Sequence, residues 1–260
     1  MKRLFTCLKV IVFYLLTLVF FVGASAITKQ TSSPDLFSII LASILTFILV
    51  YGFVRNDKDS LSKNGLGIDQ KTPMHFVSGF CIGIIMVLIM TLIVSNFSGV
   101  SFIRSQTFNP SILAVYIPLF LFVAFREELV FRTYILWRLK ANNGPLIAMV
   151  IVTAIFIAEH LLSGYSAANA FIGSGLGAIL FGFATLRTGN IALSAGIHFA
   201  WNLTHWFFGF KDNTGLFTES VLRGTAQQAA IIAFIGYTVA MIIGICAVYI
   251  FFIPRKNKHI

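Results

Sequence analysis

Eight runs of mostly apolar residues, at approximately 10–27, 36–54, 76–94, 111–135, 145–162, 167–186, 190–208 and 229–253, dominate this 260-residue chain. A helix needs roughly 20 such residues to cross a hydrocarbon layer about 30 Å thick, because each residue rises 1.5 Å. Turn-forming segments such as Arg55-Asn56-Asp57, Asn142-Asn143-Gly144-Pro145 and Thr188-Gly189-Asn190 fall between the runs. The expected fold is all-α, a polytopic membrane protein of about eight transmembrane helices forming a single membrane domain over 1–260. Charged residues make up only 11% of the chain, against about 25% in soluble domains, and the mean hydropathy is +0.90. A soluble enzyme and a disordered chain are excluded. Cys7, Cys81 and Cys246 lie far apart with no ligand spacing, so neither a disulfide framework nor a zinc knuckle is expected.

The net charge of +10 does not form a basic face. Its lysines and arginines sit in the breaks between apolar runs, so no nucleic-acid partner is expected. They also orient the chain. With the N-terminus inside, thirteen face the cytoplasm: Lys2, Arg3, Lys9, Arg55, Lys58, Lys63, Lys71, Arg138, Lys140, Arg187, Arg255, Lys256 and Lys258. Only Lys29, Arg104, Lys211 and Arg223 lie outside, while Arg126 and Arg132 fall within a span. That bias predicts a multi-pass protein of the cell membrane with both termini cytoplasmic. The first run, ending in Ala24-Ser25-Ala26, also has the form of a cleavable signal peptide. Cleavage would leave seven helices in the same orientation.

Ionisable groups are costly in hydrocarbon, so those inside spans are functional candidates by default. All five aspartates (Asp35, Asp57, Asp59, Asp69 and Asp212) sit in or beside loops, whereas Glu127, Glu128 and Glu159 fall in or at the ends of apolar runs. A pair of aspartates in facing helices, the zinc motif H-E-x-x-H and the G-x-S-G of a serine protease are all missing. Three clusters remain. In Glu127-Glu128-x-x-x-Arg132, Glu128 and Arg132 stand at i,i+4 and neutralise one another, leaving Glu127 to face a cavity. Phe156 and His160 share one face of the next helix, and His198 and Asn202 share a face of a later one. Taken singly, each has an ordinary structural reading as charge network or interhelical polar glue.

Depth joins them. Glu127 lies about 20 Å in from Lys140, His160 about 23 Å past Pro145, and Asn202 about 18 Å past Asn190. Three helices place polar groups near one level, as a water-reached site inside the bilayer requires.

The motifs E-E-x-x-x-R, F-x-x-x-H and H-x-x-x-N, in that order on successive membrane helices, resemble the CPBP family. That family comprises the type II CaaX prenyl endopeptidases and the bacteriocin-processing, abortive-infection-like membrane proteins. The resemblance covers roughly 110–208; the first three spans and the last match only in hydropathy. It implies an intramembrane endopeptidase acting on a membrane-tethered peptide or protein substrate, prenylated or a peptide precursor, with the lipid bilayer as the other partner.

Peptide hydrolysis needs a base for water, donors for the oxyanion and a proton for the leaving amine. Glu127 is the candidate base, His160 would help hold the water, and His198 and Asn202 would donate to the oxyanion; Glu128, Arg132 and Phe156 support them. Alternatively, Glu127, His160 and His198 could ligate a single zinc ion that polarises the water. The cofactor is thus none or one zinc. Glu159 turns about 100° away from His160 and reads as an outer-edge residue; His205 reads as structural, and Trp137 and Trp206 as interfacial anchors. Two other readings compete: a non-catalytic immunity or scaffold protein, and a proton-coupled transporter.

Overall fold

The computed structural model of the protein describes residues 2–211 and 214–252. The expectations on Asp212, Arg255, Lys256 and Lys258 lie outside the described residues. The chain is an all-α membrane bundle. Its helices are α1 (Lys2–Thr28), α2 (Pro34–Asn56), α3 (Thr72–Phe97), α4 (Leu113–Leu129), α5 (Leu136–Asn143), α6 (Pro145–Leu162), α7 (Gly175–Thr188), α8 (Ala192–Phe207) and α9 (Ala226–Phe251). A π-helical segment, Val130–Ile135, joins α4 to α5, and a second, Asn169–Ser174, opens α7. The only strands among the described residues, β1 (Val100–Arg104) and β2 (Phe217–Val221), pair antiparallel at one end of the bundle.

Among the described residues, six helices are long and apolar enough to cross a membrane: Leu4–Thr28, Pro34–Asn56, Thr72–Phe97, Pro145–Leu162, Asn169–Thr188 and Ala226–Phe251. The other two expected spans fall short for reasons that bear on function. Helix α4 runs 17 residues and ends in Arg126-Glu127-Glu128 where the π turn begins, and α8 runs 16. Around the bundle, exposed apolar side chains such as Leu15, Ile48, Val77, Leu92, Val150 and Ile242 present the surface a hydrocarbon layer covers.

Helices α3 and α8 touch backbone to backbone. A Cβ on Gly79 would stand 2.2 Å from the Leu193 carbonyl oxygen, and one on Gly196 2.2 Å from that of Phe76. Small residues allow this approach, as in other membrane helix pairs. It fixes α8 two residues before His198. Hydroxyls add interhelical bonds: Ser43 donates to the Phe122 carbonyl (3.2 Å), and Thr185 shares a 2.9 Å hydrogen bond with Ser194.

At the end opposite the strands, Asp57 closes α2 and gathers three partners from three other segments. Lys9 of α1 bonds it, Arg138 of α5 lies 2.6 Å away, and the Tyr134 hydroxyl donates at 2.7 Å. Burial works to raise the Asp57 carboxyl, but the hydrogen bonds from Lys9 and Tyr134 and the charges of Arg138 and Lys9 outweigh it and hold the carboxyl below its ordinary value. A carboxyl depressed in the folded state contributes stability that is complete above its unfolded value and lost as pH falls through the folded one. Replacing Asp57 with Asn is therefore expected to lower the melting temperature near neutral pH by about 3 °C. That gap should close as the pH drops below 3.8, the group's ordinary value. Melting curves of both proteins across pH check it; a gap that does not change with pH contradicts it.

Candidate active site

The site forms where α4 gives way to its π turn. Such turns add a residue to the helical repeat and often mark functional positions. Glu128 and Arg132 are both 0% exposed, with Arg132 Nε 3.8 Å from Glu128 Oε2. This is the expected i,i+4 pair, at ion-pair rather than hydrogen-bond distance. The Arg132 guanidinium lies against the rings of Phe156 (4.9 Å), Phe131 (5.4 Å) and Phe181 (5.5 Å), and its Nη2 donates to the Ala178 carbonyl at 3.4 Å. Cation–π attraction strengthens where water is excluded. Phe156 thus serves Arg132 as well as sharing a face with His160.

His198 of α8 sits between the two glutamates. Its Nδ1 is 3.2 Å from Glu128 Oε1 and its Nε2 3.8 Å from Glu127 Oε2. Glu127 is consequently not left alone in a cavity: both carboxylates address one imidazole, from opposite edges. The 100° step between neighbours that separates them on the helix is spanned by the ring's width. Phe181 stacks on that ring at 4.5 Å and 12°, fixing its plane. Glu128 accepts from Nδ1, which orients the ring and turns Nε2 toward Glu127. The Glu127 side chain is 20% exposed, so water reaches it.

Asn202, one turn along α8, accepts at Oδ1 from Lys211 Nζ at 2.9 Å. That bond commits the carboxamide oxygen and leaves its N–H groups with no protein acceptor among the described residues. Lys211 also lies over the Phe120 ring of α4, at 4.8 Å. From sequence Lys211 was only an outer-loop charge; nothing local marked it as a neighbour of Asn202. A Lys211→Met variant, which keeps the stem and loses the donor, is expected to lower turnover about tenfold by freeing the carboxamide to rotate. Turnover measured beside Lys211→Arg, which restores a donor, checks this; equal loss in both contradicts it.

His160 stands apart from this group. Its Nδ1 donates to the Phe156 carbonyl at 2.8 Å, its ring lies 4.5 Å from Phe156 and 5.1 Å from Tyr165, and among the described residues it forms no hydrogen bond or ion pair with Glu127 or His198. Nor do any three His, Cys, Asp or Glu side chains among the described residues gather as a metal site. The zinc reading of Glu127, His160 and His198 does not fit this donor arrangement, because a tetrahedral zinc needs its nitrogen and oxygen ligands about 2 Å from one point.

Other expectations change with the packing. Glu159 is not an edge residue: its Oε2 accepts from the Tyr14 hydroxyl at 2.9 Å, and its Oε1 lies 3.5 Å from Arg126 Nη1. Trp206 is fully buried, stacked on Tyr116 at 4.4 Å, and is no interfacial anchor. His205 is structural as expected, its ring stacked between Trp201 (5.3 Å) and Phe210 (4.8 Å).

A cavity of about 540 Å³ opens toward the Asp57 end. Its walls include Phe47, Leu61, Leu121, Phe122, Phe125 and Ala195. Phe125 and Ala195 belong to α4 and α8, the helices that carry Glu127 and His198, while Glu127, Glu128, His198 and Asn202 do not line this apolar chamber.

Residues 109–204 match the family of Type II CAAX prenyl endopeptidase Rce1-like proteins. No curated protein and no solved structure matches the chain. The matched segment is less than half of the chain, yet it runs from the start of α4 to the end of the α8 motif and contains Glu127, Glu128, Arg132, Phe156, His160, His198 and Asn202. Over this segment the protein is similar to the Rce1-like endopeptidases, a likeness that supports the resemblance to the CPBP membrane proteases.

Proposed function

We propose that this protein is an intramembrane endopeptidase that hydrolyses a peptide bond by a glutamate-activated water. The observation that carries the reading is His198 held between Glu128 and Glu127, with Asn202 on the same face one turn on. Glu127, the more exposed of the two glutamates, takes a proton from water as the oxygen attacks the scissile carbonyl. His198 Nε2–H and the Asn202 N–H groups donate to the oxyanion that forms. Glu127 then delivers its proton to the leaving nitrogen, the C–N bond breaks, and a carboxylic acid and an amine result. Glu128, Arg132 and Phe181 hold His198 in orientation. With His198 as imidazolium, it and Arg132 balance the two carboxylates, so the buried group carries no net charge, which low dielectric favours. His160, whose Nε2 is not engaged, approaches water and substrate from α6.

The substrate reading rests on the cavity and on the Rce1-like match. A chamber of about 540 Å³ lined by Phe and Leu suits a long apolar chain, such as the lipid of a prenylated C-terminal precursor or an apolar stretch of a peptide precursor. The positive-inside bias sets the Asp57 end, and hence the cavity, on the cytoplasmic side. The test is incubation of the purified protein in detergent with an internally quenched, farnesylated CaaX peptide. The expected result is release of the C-terminal tripeptide, identified by mass. Cleavage of the unlipidated peptide at an equal rate would remove the lipid from the reading, and no cleavage of either would remove the prenyl-protease assignment.

A further inference from the structure

Beside the groups assigned above lies a second buried ionic cluster. Arg126 is 3% exposed, with Nη1 3.5 Å from Glu159 Oε1; Tyr14 donates to Glu159 Oε2 at 2.9 Å, and the Phe21 ring packs on the guanidinium at 4.6 Å. Three helices meet here. Arg126 comes from α4, Glu159 from α6, and Tyr14 and Phe21, two turns apart on one face, from α1.

The positions along the chain give the cluster meaning. Arg126 immediately precedes Glu127, and Glu159 immediately precedes His160. The ion pair therefore joins α4 and α6 one residue before each of two candidate groups that, among the described residues, form no hydrogen bond or ion pair with each other. Helix positions one apart diverge by about 100°, so the strut lies on the flank while Glu127 and His160 turn toward another side. A cross-link so placed limits both the separation and the relative rotation of the two helices. Burial makes the limit firm: an arginine withdrawn from water loses heavily if its carboxylate moves away. Among the described residues the two other Arg126 nitrogens, Nε and Nη2, have no hydrogen-bond partner and Glu159 is the anion paired with the guanidinium.

We infer that Arg126, Glu159 and Tyr14 form a positioning strut that sets His160 relative to Glu127 and makes α1 a working wall of the site. None of the three touches the reacting atoms. They act through the helices that carry groups which do. The inference deepens the proteolytic reading and rests on it for its kinetic consequences, while its structural content can be read separately.

The experiment uses full-length Arg126→Gln, Glu159→Gln, the double variant and Tyr14→Phe. With the farnesylated peptide as probe, each single ionic variant is expected to lose about tenfold or more in kcat, since small misplacements of reacting groups cost that much. KM should stay within a few-fold. The double variant should lose no more than the worse single, because both break one connection. Tyr14→Phe should lose a few-fold in kcat; an unchanged rate removes α1 from the strut. Single ionic variants within twofold of the parent, or losses that multiply in the double, overturn the proposal. If the parent protein does not cleave the peptide, the proteolytic reading fails and thermal unfolding decides the strut alone. Each single should then melt lower by about 5 °C and the double recover most of that loss, since a lone buried charge is worse than none. Additive losses would overturn it.

Discussion

Glu127→Gln is expected to abolish useful turnover while leaving the protein folded. The amide keeps the size and shape of the carboxylate but cannot take a proton from water. General-base catalysis by a positioned group contributes about 100- to 10,000-fold, so kcat should fall by that factor, equivalent to about 3–5 kcal/mol of barrier. KM should change little, because Glu127 is not part of the apolar wall that holds substrate. The fold should tolerate the change for a reason visible in the geometry. The Glu127 side chain is 20% exposed and approaches His198 only to 3.8 Å, so no hydrogen bond is lost. Its neighbour differs in every respect: Glu128 is 0% exposed and lies 3.2 Å from His198 Nδ1.

The pair of variants separates three readings. A protease loses cleavage in Glu127→Gln with unchanged yield and melting temperature. A scaffold or immunity protein keeps its phenotype in Glu127→Gln and loses it only when Glu128→Gln unsettles the fold. A proton-coupled transporter would show uptake that follows a proton gradient and stops in Glu127→Gln. Measured kcat, KM and melting temperature on the same preparations decide among them; retention of kcat within threefold in Glu127→Gln removes it as the base.

Much of this site was legible before any coordinates, for a physical reason. Charge in hydrocarbon is expensive, so the few polar residues inside apolar runs stand out, and helical periodicity says which of them share a face. That is why Glu128–Arg132 and His198–Asn202 could be paired from spacing. What spacing could not give is contact between helices remote in sequence. Tyr14 and Glu159, 145 residues apart, meet only because α1 packs on α2 and against α5 and the π segment, which brings the Tyr14 hydroxyl within reach of α6, and no local signal links them. Lys211 was hidden in the same way, since its loop folds back over α8 to reach Asn202. The π turn at Val130–Ile135 has no residue code as plain as proline's, so one continuous helix was the natural expectation. The strand pair β1–β2 lies in segments where the apolar signal fades. Equal depth on different helices does not by itself put Glu127, His160 and His198 around one point, and among the described residues no three His, Cys, Asp or Glu side chains gather as a metal group.

Arg132→Leu carries the largest expected loss of stability. The arginine is 0% exposed, and its positive charge is what lets Glu128 stay ionised in a place without water. Leucine fills part of the space among Phe131, Phe156 and Phe181 but supplies no charge, so Glu128 is left with a hydrogen bond to Ser194 and with His198 as its remaining charge partner among the described residues. Removing one member of a buried pair typically costs about 3–5 kcal/mol, because the other charge remains buried and uncompensated. For a chain of this size that corresponds to a fall in melting temperature of about 10 °C. The energetic logic gives a sharper check than the single variant. Adding Glu128→Gln to Arg132→Leu removes the stranded charge and should raise the melting temperature again, toward the parent. Cleavage should not return with it, since His198 then has no carboxylate on Nδ1 to hold its ring in place. Arg132→Lys should fall between, keeping the charge but losing the flat guanidinium that three aromatic rings enclose. If the double variant melts lower than Arg132→Leu alone, the arginine is held by its aromatic cage and not by its charge partner, and the electrostatic account of how His198 is oriented fails with it.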